Sequence, residues 1–196
     1  EMVRYYSSIV GKYGLFVQKA LRKFDNVAVR TLCTTHGPVW RDRISEVVGI
    51  YDRLSLYEPL DNGVTVIYGS MYGNTELMAE TAAEALAEAG IREIDVHNAS
   101  VSDLSFMLSD IFRHRGLVIA APTYSDTLFP PVRNVMEAIA TRGVKNRDVL
   151  LIGSCTWGQK AVGAMNSYIE SIGAVIAAEP IAFKQAPTAV QLQQCR

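Results

Sequence analysis

The run Val64-Thr65-Val66-Ile67-Tyr68-Gly69-Ser70-Met71-Tyr72-Gly73-Asn74-Thr75-Glu76-Leu77 decides how the chain is read. Its first residues are apolar or β-branched without alternation, the pattern of a strand covered on both faces. A short loop of glycine, hydroxyl and amide residues follows, and then the strong helix formers Leu77-Met78-Ala79-Glu80. Strand, loop and helix in that order open a βα unit and leave the unpaired amides of a helix N-terminus facing an anion site. Ser70 and Thr75 can donate hydroxyls and Asn74 an amide, Gly73 lets the backbone wrap closely, and Met71 and Tyr72 complete the loop.

What this loop lacks narrows the anion. It carries no GxxxxGK[ST] lysine, and no Lys or Arg occurs from Gly69 through Ile91, which speaks against a nucleoside triphosphate with its magnesium. It carries no GxGxxG, which speaks against a dinucleotide pyrophosphate. A single terminal monophosphate held by neutral donors remains. The competing reading is an ordinary helix cap, which any βα turn can carry.

Working outward, short apolar runs at residues 65–68, 93–97, 117–121, 149–152 and 174–178 alternate with helical patterns at 75–89, 103–114, 131–142 and 159–172. Five parallel strands with intervening helices predict a doubly wound α/β sheet. Upstream, the pattern predicts a helix over 5–24, a strand over 27–33, a turn at His36-Gly37-Pro38 and a helix over 41–57. This αβα piece is too small to bury its own apolar faces, which are expected to pack on the second unit or on a second copy of the chain. Leu60-Asp61-Asn62-Gly63 is turn chemistry directly before the first strand, so the expected units are 1–61 and 62–196. The chain opens inside an amphipathic pattern and stops inside a helix begun near Pro187, which predicts a piece of a longer protein.

Composition fits one α/β core plus an attached segment: 196 residues, 49% of them apolar. A formal net charge of -1 without a Lys/Arg run gives no electrostatic footprint for nucleic acid or an anionic membrane. The longest apolar stretch, residues 116–122 with its flanks, is far short of a membrane span, and no basic-then-apolar leader opens the chain, so a cytoplasmic location is expected. Cys33, Cys155 and Cys195 are odd in number, far apart and without CxxC spacing, which predicts free thiols.

Tyr68-Gly69-Ser70-Met71-Tyr72-Gly73-Asn74-Thr75 resembles the FMN phosphate loop of flavodoxins, and more closely that of the flavodiiron proteins, whose C-terminal domain is flavodoxin-like. Two further stretches carry the same resemblance: Ala121-Pro122-Thr123-Tyr124 with Phe129-Pro130-Pro131-Val132, and Gly153-Ser154-Cys155-Thr156-Trp157-Gly158. Cys33-Thr34-Thr35-His36-Gly37-Pro38-Val39-Trp40-Arg41 looks like the last part of that family's metallo-β-lactamase-like diiron domain. The resemblance covers nearly the whole chain and implies a flavodoxin-like FMN-binding domain preceded by a remnant of the diiron domain.

The two later motifs fall at the C-terminal ends of the third and fourth strands, where open α/β sheets bind ligands. Pro122, Thr123, Tyr124 and Ser125 on one side, and Ser154, Cys155, Thr156, Trp157 and Gly158 on the other, are therefore expected to flank the isoalloxazine. Trp157 is the first choice for a stacking face, then Tyr124, then Tyr72; packing aromatics are the plainer reading of each. Ser125 stands where many family members carry Asn, and Cys155 reads as a small residue at a crowded loop. The diiron ligands of the family lie upstream of this chain except His36, so no metal is expected here. The resemblance implies electron transfer through FMN, a rubredoxin-like or NAD(P)H-dependent reductase donor, and delivery toward O2 or NO reduction in an intact parent. The alternative is an NAD(P)H-dependent FMN or quinone reductase of the same fold. A flavin-free receiver-like module would need an acidic cluster where Tyr68-Gly69-Ser70 stands.

Overall fold

The computed structural model describes residues 1–24 and 26–196. The chain begins with α1 (Met2–Tyr5), a π-helical turn (Tyr6–Val10), a 3-10 turn (Gly11–Tyr13), α2 (Gly14–Leu21) and a second 3-10 turn (Arg22–Phe24). The helix expected over 5–24 is thus an irregular succession of turns. Two tight approaches accompany it: a Cβ on Gly11 would lie 2.9 Å from the Phe112 ring, and one on Gly14 would lie 2.3 Å from the Ser55 carbonyl oxygen. The expected strand over 27–33 shrinks to β1 (Leu32–Cys33), paired antiparallel with β2 (Val39–Trp40) around the His36-Gly37-Pro38 turn. Residues 27–31 are exposed and pair with no strand, so their β propensity has no ladder to join. The segment is therefore helix, hairpin, helix rather than αβα, and α3 (Ile44–Ser55) closes it.

From β3 (Asp61–Tyr68) onward the expected α/β alternation appears. It runs through α4 (Asn74–Glu88), β4 (Ile94–Asn98), α5 (Leu104–Arg113) and β5 (His114–Tyr124), then β6 (Thr127–Leu128), α6 (Pro130–Arg142) and β7 (Asp148–Cys155). It ends with α7 (Ala161–Ile172), β8 (Val175–Ile176), β9 (Ile181–Lys184) and α8 (Ala189–Gln194). The parallel order is β4-β3-β5-β7, with β8 and β9 both on the far side of β7. The fifth position is therefore shared: the run at 174–178 contributes only Val175–Ile176, and Ile181–Lys184 completes it beyond Pro180, which lacks the N–H a ladder needs.

Strand alternation divides the core in two. Val64, Val66, Tyr68, Val118 and Ala120 meet Met78, Ala79 and Ala82 of α4 on one face. Ile67, Leu117, Ile119, Val149 and Leu151 meet α5, α6 and α7 on the other. The N-terminal segment adds to this second face. Tyr6 and Leu54 are fully buried in it, with the Tyr6 ring edge-on to Tyr51 and Phe112 at centroid distances of 5.2 and 6.0 Å.

Polar contacts fasten the segment further. Arg142 donates to the carbonyls of Ser7 (2.7 Å) and Ser8 (2.8 Å), and the Tyr57 hydroxyl lies within hydrogen-bonding distance of those of Arg142 (2.8 Å) and Gly11 (3.1 Å). Arg147 is 2% exposed and donates to the carbonyls of Tyr57, Ile111 and Phe112, each at 2.8 Å. Burial lowers its guanidinium to about 10, so it stays charged at neutral pH with its charge spread over carbonyl dipoles. Leu15 and Phe16 of α2 remain mostly exposed.

Candidate functional site

The C-terminal ends of β3, β5 and β7 open on one cavity of about 60 Å³. Ser70, Met71, Tyr72, Asn74 and Thr75 line it from the first loop, Pro122 and Thr123 from the second, Ser154, Cys155 and Thr156 from the third, and Gln185 from the turn after β9. No lining residue carries a charge. Gly73, Tyr124, Ser125, Trp157 and Gly158 stand outside this lining, on the loops around it.

The sequence of the first loop explains its shape. Gly69 must be glycine because a Cβ there would come within 2.5 Å of the Phe129 ring. Gly73 is the N-cap of α4 at φ +84°, a left-handed conformation, with open space where a side chain would stand. No side chain caps α4, so the amides of its first turn keep their hydrogens for another partner. Ser70 Oγ accepts from the Gly73 amide at 3.0 Å, which leaves its own hydrogen free. Thr75 and Ser154 are buried and share one hydrogen bond at 2.8 Å. Two hydroxyls in one bond use one hydrogen, and the second remains available at the cavity wall. Beneath the loop Tyr68 is hydrogen-bonded to Glu76, and burial foremost, with that bond second, pushes its hydroxyl up to about 12.

The second loop is a hairpin. β6 pairs antiparallel with the end of β5, Thr123 opposite Leu128 and Tyr124 opposite Thr127, and the turn residues Ser125 and Asp126 both sit at positive φ, 48° and 59°. Positive φ at both central positions marks a type I′ turn, which matches strand twist. Here it holds two non-glycine residues in the left-handed region. The third loop leaves Trp157 89% exposed, and Tyr72 on the first is 86% exposed. Large aromatic faces held out beside an uncharged, donor-rich cavity suit a flat heteroaromatic ring with one phosphate tail.

Gln185 was invisible in the sequence because β9 was not read as a strand. It sits at φ +61°, its amide donates to the Cys155 carbonyl at 2.8 Å, and it lines the cavity. Gln159, read only as the start of a helical pattern, bridges loops instead. A larger cavity of about 510 Å³ lies at the opposite edge of the sheet, between α4 and the strands. Its lining is mainly apolar, and its two charged residues, Arg115 and Asp148, are paired with each other at 2.8 Å. His36 stands on the exposed β1–β2 turn, its ring centroid 5.3 Å from that of Tyr5. Among the described residues no group of three or more His, Cys, Asp or Glu is placed to hold a metal ion. None of the helices described is long and apolar enough to cross a membrane.

Residues 66–196 match the flavodoxin family model. The chain belongs to the flavodoxin family. Similarity extends upstream of that domain. An anaerobic nitric oxide reductase flavorubredoxin of Escherichia coli is 25% identical over 173 residues, 87% of this chain and 36% of the relative. Rubredoxin oxygen:oxidoreductase from Desulfovibrio gigas superposes with a TM-score of 0.91 at 24% identity, over 98% of this chain and 49% of that one. The flavodiiron protein from Giardia intestinalis gives 0.91 at 25% identity, over 98% and 48%. The chain thus spans about a third of the curated relatives' length and about half of the solved ones. FMN is the cofactor of the flavodoxin-like domain in flavodiiron proteins, and the uncharged anion cradle and exposed aromatics of this chain fit it.

Proposed function

We propose that this chain binds FMN at the cavity between its three loops and serves as the electron-carrying domain of a flavodiiron-type protein. The observation that carries the reading is the uncapped α4 N-terminus beside an uncharged wall of hydroxyls and amides, with Trp157 and Tyr72 held out at its rim. Ser70, Asn74, Thr75 and the open amides of α4 hold the terminal phosphate; the helix dipole adds to their attraction, and no lysine or arginine is needed. Met71, Gly73 and Tyr72 shape the rest of that loop. Pro122, Thr123, Tyr124 and Ser125 border the ring on one side and Ser154, Cys155, Thr156, Trp157 and Gly158 on the other, with Trp157 as the leading stacking face. FMN supplies electron transfer when bound; the protein supplies position, water exclusion and tuning.

Residues 1–61 are proposed as the end of an upstream metallo-β-lactamase-like domain and residues 62–196 as the FMN domain. A rubredoxin-like protein or an NAD(P)H-dependent reductase is the proposed donor, and delivery toward O2 or NO reduction is the proposed role of the whole parent in the cytoplasm. The exposed Leu15 and Phe16 face offers an interface to the rest of that parent or to a second copy.

A visible spectrum of the purified chain, with the released chromophore identified after acid treatment, tests this reading. FMN in the supernatant is the expected outcome, and a chain that takes up no flavin when FMN is added overturns it. Bleaching by NAD(P)H without a partner protein would favour the reductase reading.

A further inference from the structure

The β5–β7 ladder runs from Gly116↔Asp148 to Pro122↔Ser154 and stops there. Beyond it the two strands part into the loops that border the proposed ring site. Two side chains take over where the backbone pairing ends. Thr123 Oγ1 accepts from the amides of Lys160 and Ala161, each at 3.1 Å, and donates to Gln159 Oε1 at 3.3 Å. Gln159 Oε1 also accepts from the Ala161 amide at 3.1 Å, and its Nε2 donates to the Gly153 carbonyl at 2.9 Å. Gly153 leaves room for this, since a Cβ there would lie about 3 Å from the amide group of Gln159.

We propose that Thr123 and Gln159 form a clamp that fixes the gap between the 122–126 and 154–158 loops, and so act as positioning residues for the flavin ring. The proposal rests on the FMN reading above. Its physical content is that one hydroxyl uses its full hydrogen-bonding capacity, and one carboxamide uses its oxygen twice and one of its two N–H groups, on the two loops and on the amides at the start of α7. The Lys160 and Ala161 amides are consumed, whereas no side chain caps the first turn of α4. The edge therefore presents the uncapped end of α4 to a phosphate, and a slot beside it for a ring. A slot held by side chains at two points loses definition when either is removed, because the loops have no ladder between them at that level.

The test compares Thr123→Val, Gln159→Leu, their combination and Thr123→Ser, each titrated with FMN and with riboflavin and examined by visible circular dichroism of the bound flavin. Each of the first two is expected to weaken FMN and riboflavin by the same factor, about tenfold, the size of one or two lost hydrogen bonds. The flavin dichroism should change with them. The combined variant should be little worse than the worse single one, since both act through one clamp. Thr123→Ser should restore affinity and spectrum. Folded variants that bind both flavins as the parent does, with an unchanged spectrum, would overturn the clamp while leaving the FMN reading intact. So would a loss confined to FMN, because it would place the effect on the phosphate. A parent chain that binds neither flavin overturns the FMN reading and the clamp together. Far-ultraviolet dichroism identifies any variant that fails to fold, and Thr123→Ser, which removes only a methyl group, then still decides: unchanged binding upholds the hydroxyl's role, and tenfold loss sinks it.

Discussion

The two edges of the central sheet treat polar groups in opposite ways. At the N-terminal edge charges are present and consumed. Arg113 pairs with Asp61 (2.8 Å) and Glu93 (3.0 Å), Arg115 pairs with Asp148 (2.8 Å), and Arg147 is spent on backbone carbonyls. His114, fully buried, shares a 3.0 Å hydrogen bond with Thr65, while its Nε2, 3.5 and 3.6 Å from Asp95 and Asp61, makes no hydrogen bond. At the C-terminal edge the cavity has no charge in its wall, α4 is left uncapped, and two aromatic rings stand in solvent. An edge that closes its arginines on carboxylates and backbone carbonyls stabilises the fold. An edge that leaves donors unpaired is arranged for something else to pair with them.

The largest test of this contrast is Arg147→Met. It leaves the carbonyls of Tyr57, Ile111 and Phe112 without their donor and should cost about 3 to 5 kcal/mol in urea unfolding of the flavin-free chain. FMN affinity measured under native conditions should change little; a parallel collapse of affinity would show that the edges are not independent. Next in size, Ser70→Ala and Thr75→Val should each weaken FMN by about 1 to 3 kcal/mol, the usual scale for hydrogen bonds to a charged group. Riboflavin binding should be unaffected, and equal losses for the two flavins in a fluorescence titration would remove the phosphate from this loop.

A smaller effect is expected at high pH. The Tyr68 hydroxyl is raised from 10.0 to about 12 in the folded chain, so its contribution to stability is complete below pH 10 and lost as pH rises through about 12. Denaturant midpoints should fall over that window, and Tyr68→Phe should flatten the fall. Smallest of all is the response to salt. With no cation in the cavity wall, the FMN dissociation constant should move by less than about threefold between low and physiological ionic strength. A steep dependence would point to a cation outside the cavity, with Lys160 and Lys184 the first to replace.

Much of this arrangement was legible in the sequence because it depends on local chemistry. The apolar run before Gly69 and the helix formers after Asn74 made one βα unit certain in type, and repetition of the pattern made the sheet. The loop proposed for the phosphate could be placed because glycine, hydroxyl and amide residues between a strand and a helix mark a βα turn. The hairpin at 32–40 and the split fifth strand were not legible, since a strand exists only where a partner lies beside it. The type I′ turn at Ser125-Asp126 was hidden for a related reason: no glycine or asparagine marks it, and the pairing of β5 with β6 imposes positive φ on both residues.

The sequence by itself determined the fold class, the loop between β3 and α4 and the absence of cations from that loop, because each follows from residue type and spacing along a few neighbouring positions. Only the tertiary structure decided that Tyr6 and Leu54 complete the second unit's core, that Thr75 turns to Ser154, that Gln185 reaches the cavity, and that Thr123 and Gln159 tie two loops together. Those contacts join residues 36 to more than 100 positions apart, and nothing in local propensity encodes which distant side chains will meet once the sheet has brought its strand ends to one edge.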